Sequence, residues 1–190
     1  MIVCVECKNE ENKVGFFCSQ CGTLLPATQY NYFELFALNH AEQPNIHRLN
    51  TILFELQNKL HPDRFVTHDK SVQERAIAHS EIINEAYQTL KNPLKRLNYM
   101  LQLAGVEFES IGTDVSSKYA LEAFELQERA AELNDAAERD EFIVELESKQ
   151  KQLIDKCHQE LAAANIQAAV ESFAQIKFLN SLLSNLNNAR

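Results

Sequence analysis

Tryptophan is absent from the 190 residues, and glycine and proline occur only four times each. With so few backbone breakers, and with Ala, Leu, Glu and Gln abundant, long helices are the expected elements. No run approaches the roughly 18 consecutive apolar residues of a membrane span. The opening stretch, MIVCVECKNEENK, has neither an apolar h-region nor an Arg-rich amphipathic pattern. A signal or transit peptide is therefore not expected. A cytoplasmic location is the default, although a processed mitochondrial matrix chain would read the same way. A basic stripe of the kind that neutralises nucleic-acid phosphates is also missing. Net charge is −9, and it is uneven. Residues 1–105 hold 10 Lys/Arg and 11 Asp/Glu, whereas residues 106–190 hold 8 and 16, so the acid lies in the C-terminal half. No Ser/His/Asp constellation and no phosphate loop is evident, and His40, His47, His68, His79 and His158 form no ligand spacing. Enzymatic chemistry is accordingly not expected.

What is present begins with cysteine. Four of the five cysteines follow C-x2-C-x10-C-x2-C: Cys4, Cys7, Cys18 and Cys21. Two turn-forming CxxC pairs can bring four thiolates to one tetrahedral metal. Zinc suits such soft ligands as a structural ion, and iron could take the same four sulfurs. Gly22 follows the second pair and suits a tight turn; Asn9, shortly after the first, tolerates left-handed geometry. Val14 to Phe17, between the pairs, could form a short β-hairpin. Two disulfides, or a redox-active CxxC, are the competing readings. A reducing compartment disfavours the former, and no βαβ unit is visible to support the latter. Cys157 falls on an apolar helical stripe and is expected in a core.

The middle of the chain alternates helix signals with stops. Asn31 and Glu34 read as N-cap and N3 of a short helix through Tyr32, Phe33, Leu35 and Phe36, closed near Asn39-His40. Pro44-Asn45 opens a second helix with the stripe Leu49, Ile52, Leu53, Leu56 and Leu60. Pro62 stops it. A capping box over Ser71 to Glu74 is expected to start a third helix, apolar at Ala76, Ile83, Ala86, Tyr87 and Leu90. Asn92-Pro93 opens a fourth, which Gly105 closes.

The loop between the second and third helices contains His61-Pro62-Asp63. Pro62 fixes φ and halts the helix, so His61 and Asp63 should project from a rigid corner. "KLHPDRF" followed by "INEAYQTLKNPLKRLNYML" resembles J-domain proteins. The order of YFELF, HPDRF and an acidic helical tail resembles the HscB co-chaperone family of iron–sulfur cluster assembly, over roughly residues 30–190. The four-cysteine module resembles an extra domain of some of its members. The resemblance implies that His61, Pro62 and Asp63 contact a DnaK-like chaperone of the HscA type and stimulate its ATPase. Asp63 would engage an arginine there. J-domains commonly carry a strongly basic second helix. Here that helix offers only Arg48 and Lys59, with Arg64 and Lys70 in the loop, so electrostatic steering should be weak.

In the C-terminal half, breaks near Asn134-Asp135 and Asn165 leave three helical segments, a three-helix bundle. Tyr119, Ala123, Leu126, Ala130 and Leu133 form the core stripe of the first. Ala169, Val170, Phe173, Ile176 and Leu183 form that of the last. At about 100° per residue, Leu121, Phe124 and Phe178 point off these stripes, with Glu125 and Glu128 beside the first two. Off-core apolar groups mark either a second packing partner or an interaction patch. "ALEAFELQE" and "IKFL" resemble the family segments that bind the scaffold protein IscU, which implies contacts from Leu121, Phe124, Glu125, Glu128 and Phe178. Ala120 and Phe124 stand where relatives can carry Leu.

The expected fold class is all-α: a J-domain helical hairpin and a C-terminal three-helix bundle, L-shaped, with a small N-terminal zinc-binding β-hairpin or knuckle. The expected divisions are 1–28 for the cysteine module, 29–105 for the J-domain, 106–112 for the linker and 113–190 for the scaffold-binding bundle. The expected partners are the chaperone and the IscU scaffold, not nucleic acid or membrane, and self-association through the N-terminal module stays open. The alternative is a zinc-dependent recognition or redox-sensing protein with a helical dimerisation arm.

Overall fold

The computed structural model describes residues 2–11, 15–27, 31–39, 44–107 and 117–188. It is mostly helical with one small N-terminal sheet, as the composition predicts. It divides into two compact units, Met1–Asn92 and Pro93–Arg190. No helix among the described residues is long and apolar enough to cross a membrane.

The first unit opens with strands β1 (Ile2–Val3) and β2 (Glu10–Glu11), antiparallel, with Ile2 opposite Glu11 and Val3 opposite Glu10. The hairpin therefore encloses the first CxxC pair instead of running over Val14 to Phe17. Phe17 forms an isolated bridge with Leu24 around the second pair, and Val14 lies outside the described residues. The cause is local. Each CxxC turn folds the chain back on itself, so the residues on its two flanks meet.

Helix α1 (Tyr32–Leu35) starts as expected, with Asn31 Oδ1 accepting from Phe33 N at 3.0 Å. It is followed by Ala37 in the left-handed region at φ 48°; His40 lies outside the described residues. Helix α2 (Ile46–Leu60) is capped by Asn45, whose Oδ1 takes the His47 and Arg48 amides. Its stripe buries Leu49, Leu56 and Leu60 and half-buries Ile52 and Leu53. Helix α3 (Lys70–Lys91) buries Ala76, Ile83, Ala86 and Leu90. Each fully buried leucine or isoleucine at this α2–α3 seam contributes about 1.5–3 kcal/mol. Two polar braces flank the seam: Tyr87 Oη donates to Asn50 Oδ1 at 2.8 Å, and Gln57 Nε2 to Asn84 Oδ1 at 2.9 Å.

The expected capping box does not form. α3 begins one residue before Ser71, Asp69 occupies the cap without a side-chain bond, and the Ser71 carbonyl is taken by Arg75 Nε. Ser71 Oγ, the atom a box would use, instead meets Arg75 Nη2 at 3.5 Å.

His79 is fully buried on α3. A carbonyl can only accept, so its Nε2–H donates to Leu25 O at 2.9 Å. Phe16 packs edge-on to the ring, with centroids 5.5 Å apart. This ring ties the cysteine module to the helical hairpin.

The second unit comprises α4 (Pro93–Leu103), α5 (Ser117–Glu132), α6 (Ala136–Ala162) and α7 (Ile166–Asn188). Pro93 sits at the first position of α4, and Gly105 follows its end at φ 84°. There the Val106 amide returns to the Leu101 carbonyl at 3.0 Å, a glycine-type C-cap. The expected J-domain range takes in α4, yet the structure packs Leu97 and Leu101 of α4 with Cys157, Ala169, Phe173 and Ile176 of α6 and α7. Cys157 is core, as its stripe predicts, and its Sγ contacts the Ala169 carbonyl at 3.4 Å. Leu126, Phe142, Leu146, Leu179, Leu183 and Leu186 make a further core cluster. Of the expected link 106–112, residues 108–112 lie outside the described residues.

Burial holds the His79 imidazole below its ordinary pKa of 6.5, against the opposing hydrogen bond to Leu25. A folded pKa below the unfolded one means that the unfolded chain takes up the proton first. The docking stability is thus complete above about 6.5 and is lost as pH falls below it. Between about pH 7 and about pH 5 the hydrogen-exchange protection factor of the Leu25 amide should drop. His79→Gln, which keeps a donor but does not titrate, should show a smaller drop.

Candidate functional site

Three groups of side chains carry chemistry. In the first, the Sγ atoms of Cys4, Cys7, Cys18 and Cys21 all lie within 4.8 Å of one another. Cys4 and Cys21 are 3.6 Å apart, and Cys7 and Cys18 are 3.5 Å apart. A tetrahedron with metal–sulfur bonds of about 2.3 Å has edges of about 3.8 Å, so the donor set fits a four-coordinate soft cation. All four are free thiols, not disulfides.

The two knuckles are built alike. Cys4 N donates to Asn9 O at 2.8 Å and Lys8 N to Cys4 O at 3.0 Å. In the second, Cys18 N donates to Thr23 O and Gly22 N to Cys18 O, both at 2.9 Å. Gly22 has φ 72°, as its position predicts. In the first knuckle Lys8, not Asn9, takes the left-handed conformation, at φ 61°. Lys8 Nζ reaches back to Val5 O at 3.0 Å. The paired hydrogen bonds dictate which residue turns, so the left-handed residue is the one directly after each second cysteine. Contacts with Thr23, side chain and backbone, pull the Cys21 thiol down to about 6, while, against a hydrogen bond to the Asn9 backbone, burial and the neighbouring thiols push that of Cys7 up to about 12.

The second group is the corner after α2. Residues Pro62–Phe65 form a 3-10 turn. His61 Nδ1 accepts from Asp63 N at 3.3 Å, and Arg64 N donates to His61 O at 3.0 Å. Phe65 is buried and anchors the turn. Gln73 of α3 donates through Nε2 to His68 O at 2.8 Å and to Val66 O at 3.2 Å. The corner is thus pinned from three sides, while His61 and Asp63 stay exposed and Pro62 half-buried.

The basic residues nearby are exposed, but two are held by this chain's own carbonyls. Arg48 Nη2 donates to Ala37 O at 2.9 Å, and Arg64 Nη1 to Asn58 O at 3.0 Å. Lys59 is exposed at the end of α2. Sequence reading missed Phe54, which is 66% exposed. It precedes His61 by seven residues, placing it within about 20° of the same line and roughly 10 Å along the axis. An aromatic off the apolar stripe was the available signal. Val66, just past the turn, is 64% exposed.

The third group lies on α5. Tyr119, Ala123 and Leu126 are buried and Ala130 and Leu133 half-buried, as the stripe predicts. Leu121 is 67% and Phe124 56% exposed, and Glu125 and Glu128 are exposed beside them. Phe178 differs: it is half-buried, packs on the core cluster and meets Tyr119 edge-on at 5.9 Å. α7 is covered by several helices and buries more than the one face its stripe suggests, so Phe178 is partly consumed by packing. Arg129 bonds Glu145 at 2.7 Å and sits over the Phe142 ring, and Lys149 pairs with Glu122. These pairs tie α5 to α6 and leave the Leu121–Phe124 face outward.

No protein-family model matches the chain. Individual proteins do. A "Co-chaperone protein HscB homolog" of Psychromonas ingrahamii is 34% identical over 155 residues, covering 80% of this chain and 92% of that protein. The mouse "Iron-sulfur cluster co-chaperone protein HscB" is 29% identical over 170 residues, covering 88% and 72%. The crystal structure of human co-chaperone protein HscB superposes with a TM-score of 0.87 at 24% identity, covering 98% of both chains, a likeness of fold. The chaperone HscB from Vibrio cholerae gives 0.71 at 29% identity, covering 84% of this chain and 97% of that one.

A four-thiolate site predicts a defined titration. Cobalt(II) added to the reduced chain should bind at one equivalent and develop tetrahedral thiolate absorption. Cys18→Ser, at a buried ligand, should lower the affinity at least about tenfold and leave the helical circular dichroism intact.

Proposed function

The chain belongs to the HscB co-chaperone family, and on that premise we propose that it stimulates the ATPase of a DnaK-like, HscA-type chaperone and delivers an IscU-type iron–sulfur scaffold to it. The single observation that carries the reading is the His61-Pro62-Asp63 corner, pinned at the end of α2 with His61 and Asp63 outward. In this role the chain catalyses nothing itself. Asp63 offers a carboxylate to an arginine of the chaperone, and docking shifts the chaperone toward its hydrolysis-competent state.

In this reading residues 1–28 are a structural zinc module, because four thiolates at tetrahedral spacing match zinc's preferred ligands, although iron fits the same set. Residues 29–105 are the J-domain, with α4 lending its apolar face to the second unit. Residues 106–112 are the link, and 113–190 hold the scaffold. The scaffold contacts are Leu121, Phe124, Glu125 and Glu128, with Phe178 supporting Tyr119 from behind. The acidic pair implies Lys or Arg on the scaffold. On the chaperone side Pro62, Arg64, Arg48 and Lys59 frame the corner. With Arg48 and Arg64 fixed on backbone carbonyls, Phe54 supplies contact area where a J-domain commonly places positive charge.

ATPase assays with a DnaK-like chaperone, with and without IscU, test the whole reading. The native chain and IscU should stimulate synergistically, and His61→Gln should abolish stimulation without loss of helicity. Phe54→Ala should weaken stimulation at subsaturating co-chaperone by about fivefold to tenfold, about 1–1.4 kcal/mol.

The scaffold face separates from the chaperone face by mutation. Leu121→Ala with Phe124→Ala should weaken IscU binding in calorimetry by about tenfold or more and leave stimulation without IscU unchanged. Unaltered IscU affinity would mean that this face is not the scaffold site.

A further inference from the structure

The two cysteine knuckles are joined by a carboxylate that neither CxxC motif contains. Glu11 stands at the end of β2, and one of its oxygens, Oε1, accepts three hydrogen bonds. They come from Ser19 N at 2.7 Å, Ser19 Oγ at 2.8 Å and Asn9 Nδ2 at 2.8 Å. Ser19 lies inside the second CxxC pair, and Asn9 follows the first.

Asn9 is itself a junction. Its carbonyl receives the Cys4 amide at 2.8 Å and so closes the first knuckle. Its Nδ2 faces Ser19 Oγ at 3.4 Å and Cys18 Sγ at 4.0 Å, across in the second knuckle. Glu11 thus orients an amide donor that touches both halves of the site.

A carboxylate beside four thiolates is unfavourable unless its charge is well solvated. A divalent ion with four thiolates already carries net charge −2. Three donors converging on one oxygen supply that solvation from within the fold. A glutamate needed only for solubility would have no reason to spend its oxygen on the turn of a metal-binding knuckle.

We propose that Glu11 is a positioning residue of the metal site, which sets the spacing of the two knuckles through Ser19 and aims the Asn9 amide at Cys18 Sγ. The proposal rests on the reading of the four cysteines as a metal site. Groups outside the first shell orient ligands in this way, and their loss costs about 10–100-fold in metal affinity.

The test uses the full chain loaded with zinc or with cobalt(II). Zinc transfer to a chromophoric chelator gives a rate, and the thiolate-to-cobalt charge-transfer band reports the electronic state of the sulfurs. Glu11→Ala should release zinc about 10–100-fold faster and shift the band. Glu11→Gln keeps an acceptor oxygen at the same reach, so it should restore the band and most of the rate. Asn9→Ala, which leaves β2 and Glu11 in place, should shift the band in the same direction as Glu11→Ala. Native release and an unmoved band in Glu11→Ala would overturn the proposal, as would a Gln variant indistinguishable from Ala. If Glu11→Ala takes up no metal, the Asn9→Ala band decides, and an unmoved band there overturns it. A native chain that takes up neither ion would overturn the metal reading itself, a failure visible before any variant is made.

Discussion

The apolar seam between α2 and α3 governs what the first unit presents. Leu49, Leu56 and Leu60 meet a face of α3 containing Ala76, Ile83, Ala86 and Leu90, all buried. Small side chains at two of those four positions let the helices approach closely. The seam ends at Leu60, one residue before the corner, and Phe65 closes it from the far side of the 3-10 turn. His61 and Asp63 are therefore aimed by core packing together with the turn's own hydrogen bonds. Pro62 contributes the halt, because its ring forbids another helical turn. A rigid projection of this kind would lose little entropy on the docking proposed above.

The two outward faces differ in their physics. Around the corner the cations are few, and Arg48 and Arg64 are bonded to Ala37 and Asn58 carbonyls. That surface also carries an exposed aromatic, Phe54. On α5 the exposed apolar pair, Leu121 and Phe124, is set among acids in the half of the chain that holds most of the net charge. Charged rims govern encounter rates and the choice of partner, while desolvated apolar groups govern the lifetime of a complex. On the function proposed above, one partner would be held chiefly by contact and the other drawn by charge.

The helices were legible because periodicity is a local property. The stripes of α2 and α5 lie where their spacing places them, and Cys157 sits in the core its stripe implies. The caps at Asn31 and Asn45 and the turn at Gly22 were equally readable, being short-range chemistry. What escaped depends on neighbours that sequence does not display. In place of the box, Ser71 Oγ meets Arg75, four residues on. Phe178 lies off its own helix's stripe, yet Tyr119 of a helix more than fifty residues away half-covers it. Glu11 sat in a run that reads only as polar spacer, and its three bonds exist only once both knuckles are folded. His79 could have been found. It falls between Ala76 and Ile83 on the buried stripe of α3, where an imidazole needs a partner, and the Leu25 carbonyl provides one.

Leu25 shows why the cysteine module and the helical hairpin need not be independent. Its side chain packs with Cys4 and Cys18 in a core also lined by Ile2 and Cys7, and its carbonyl accepts from His79. So small a core cannot hold a fold by burial alone, since chains below about 40 residues usually need a metal or disulfides. A bound ion would supply free energy of about 10–16 kcal/mol, as in other small thiolate modules. That energy fixes Cys4 and Cys18, which fix the Leu25 side chain, which in turn presents the carbonyl that α3 uses. Phe16, bonded through its carbonyl to the Leu25 amide at 2.8 Å, packs on the same imidazole and adds a second link. Loss of metal should therefore be felt at α3, whose other contacts hold the His61-Pro62-Asp63 corner in place.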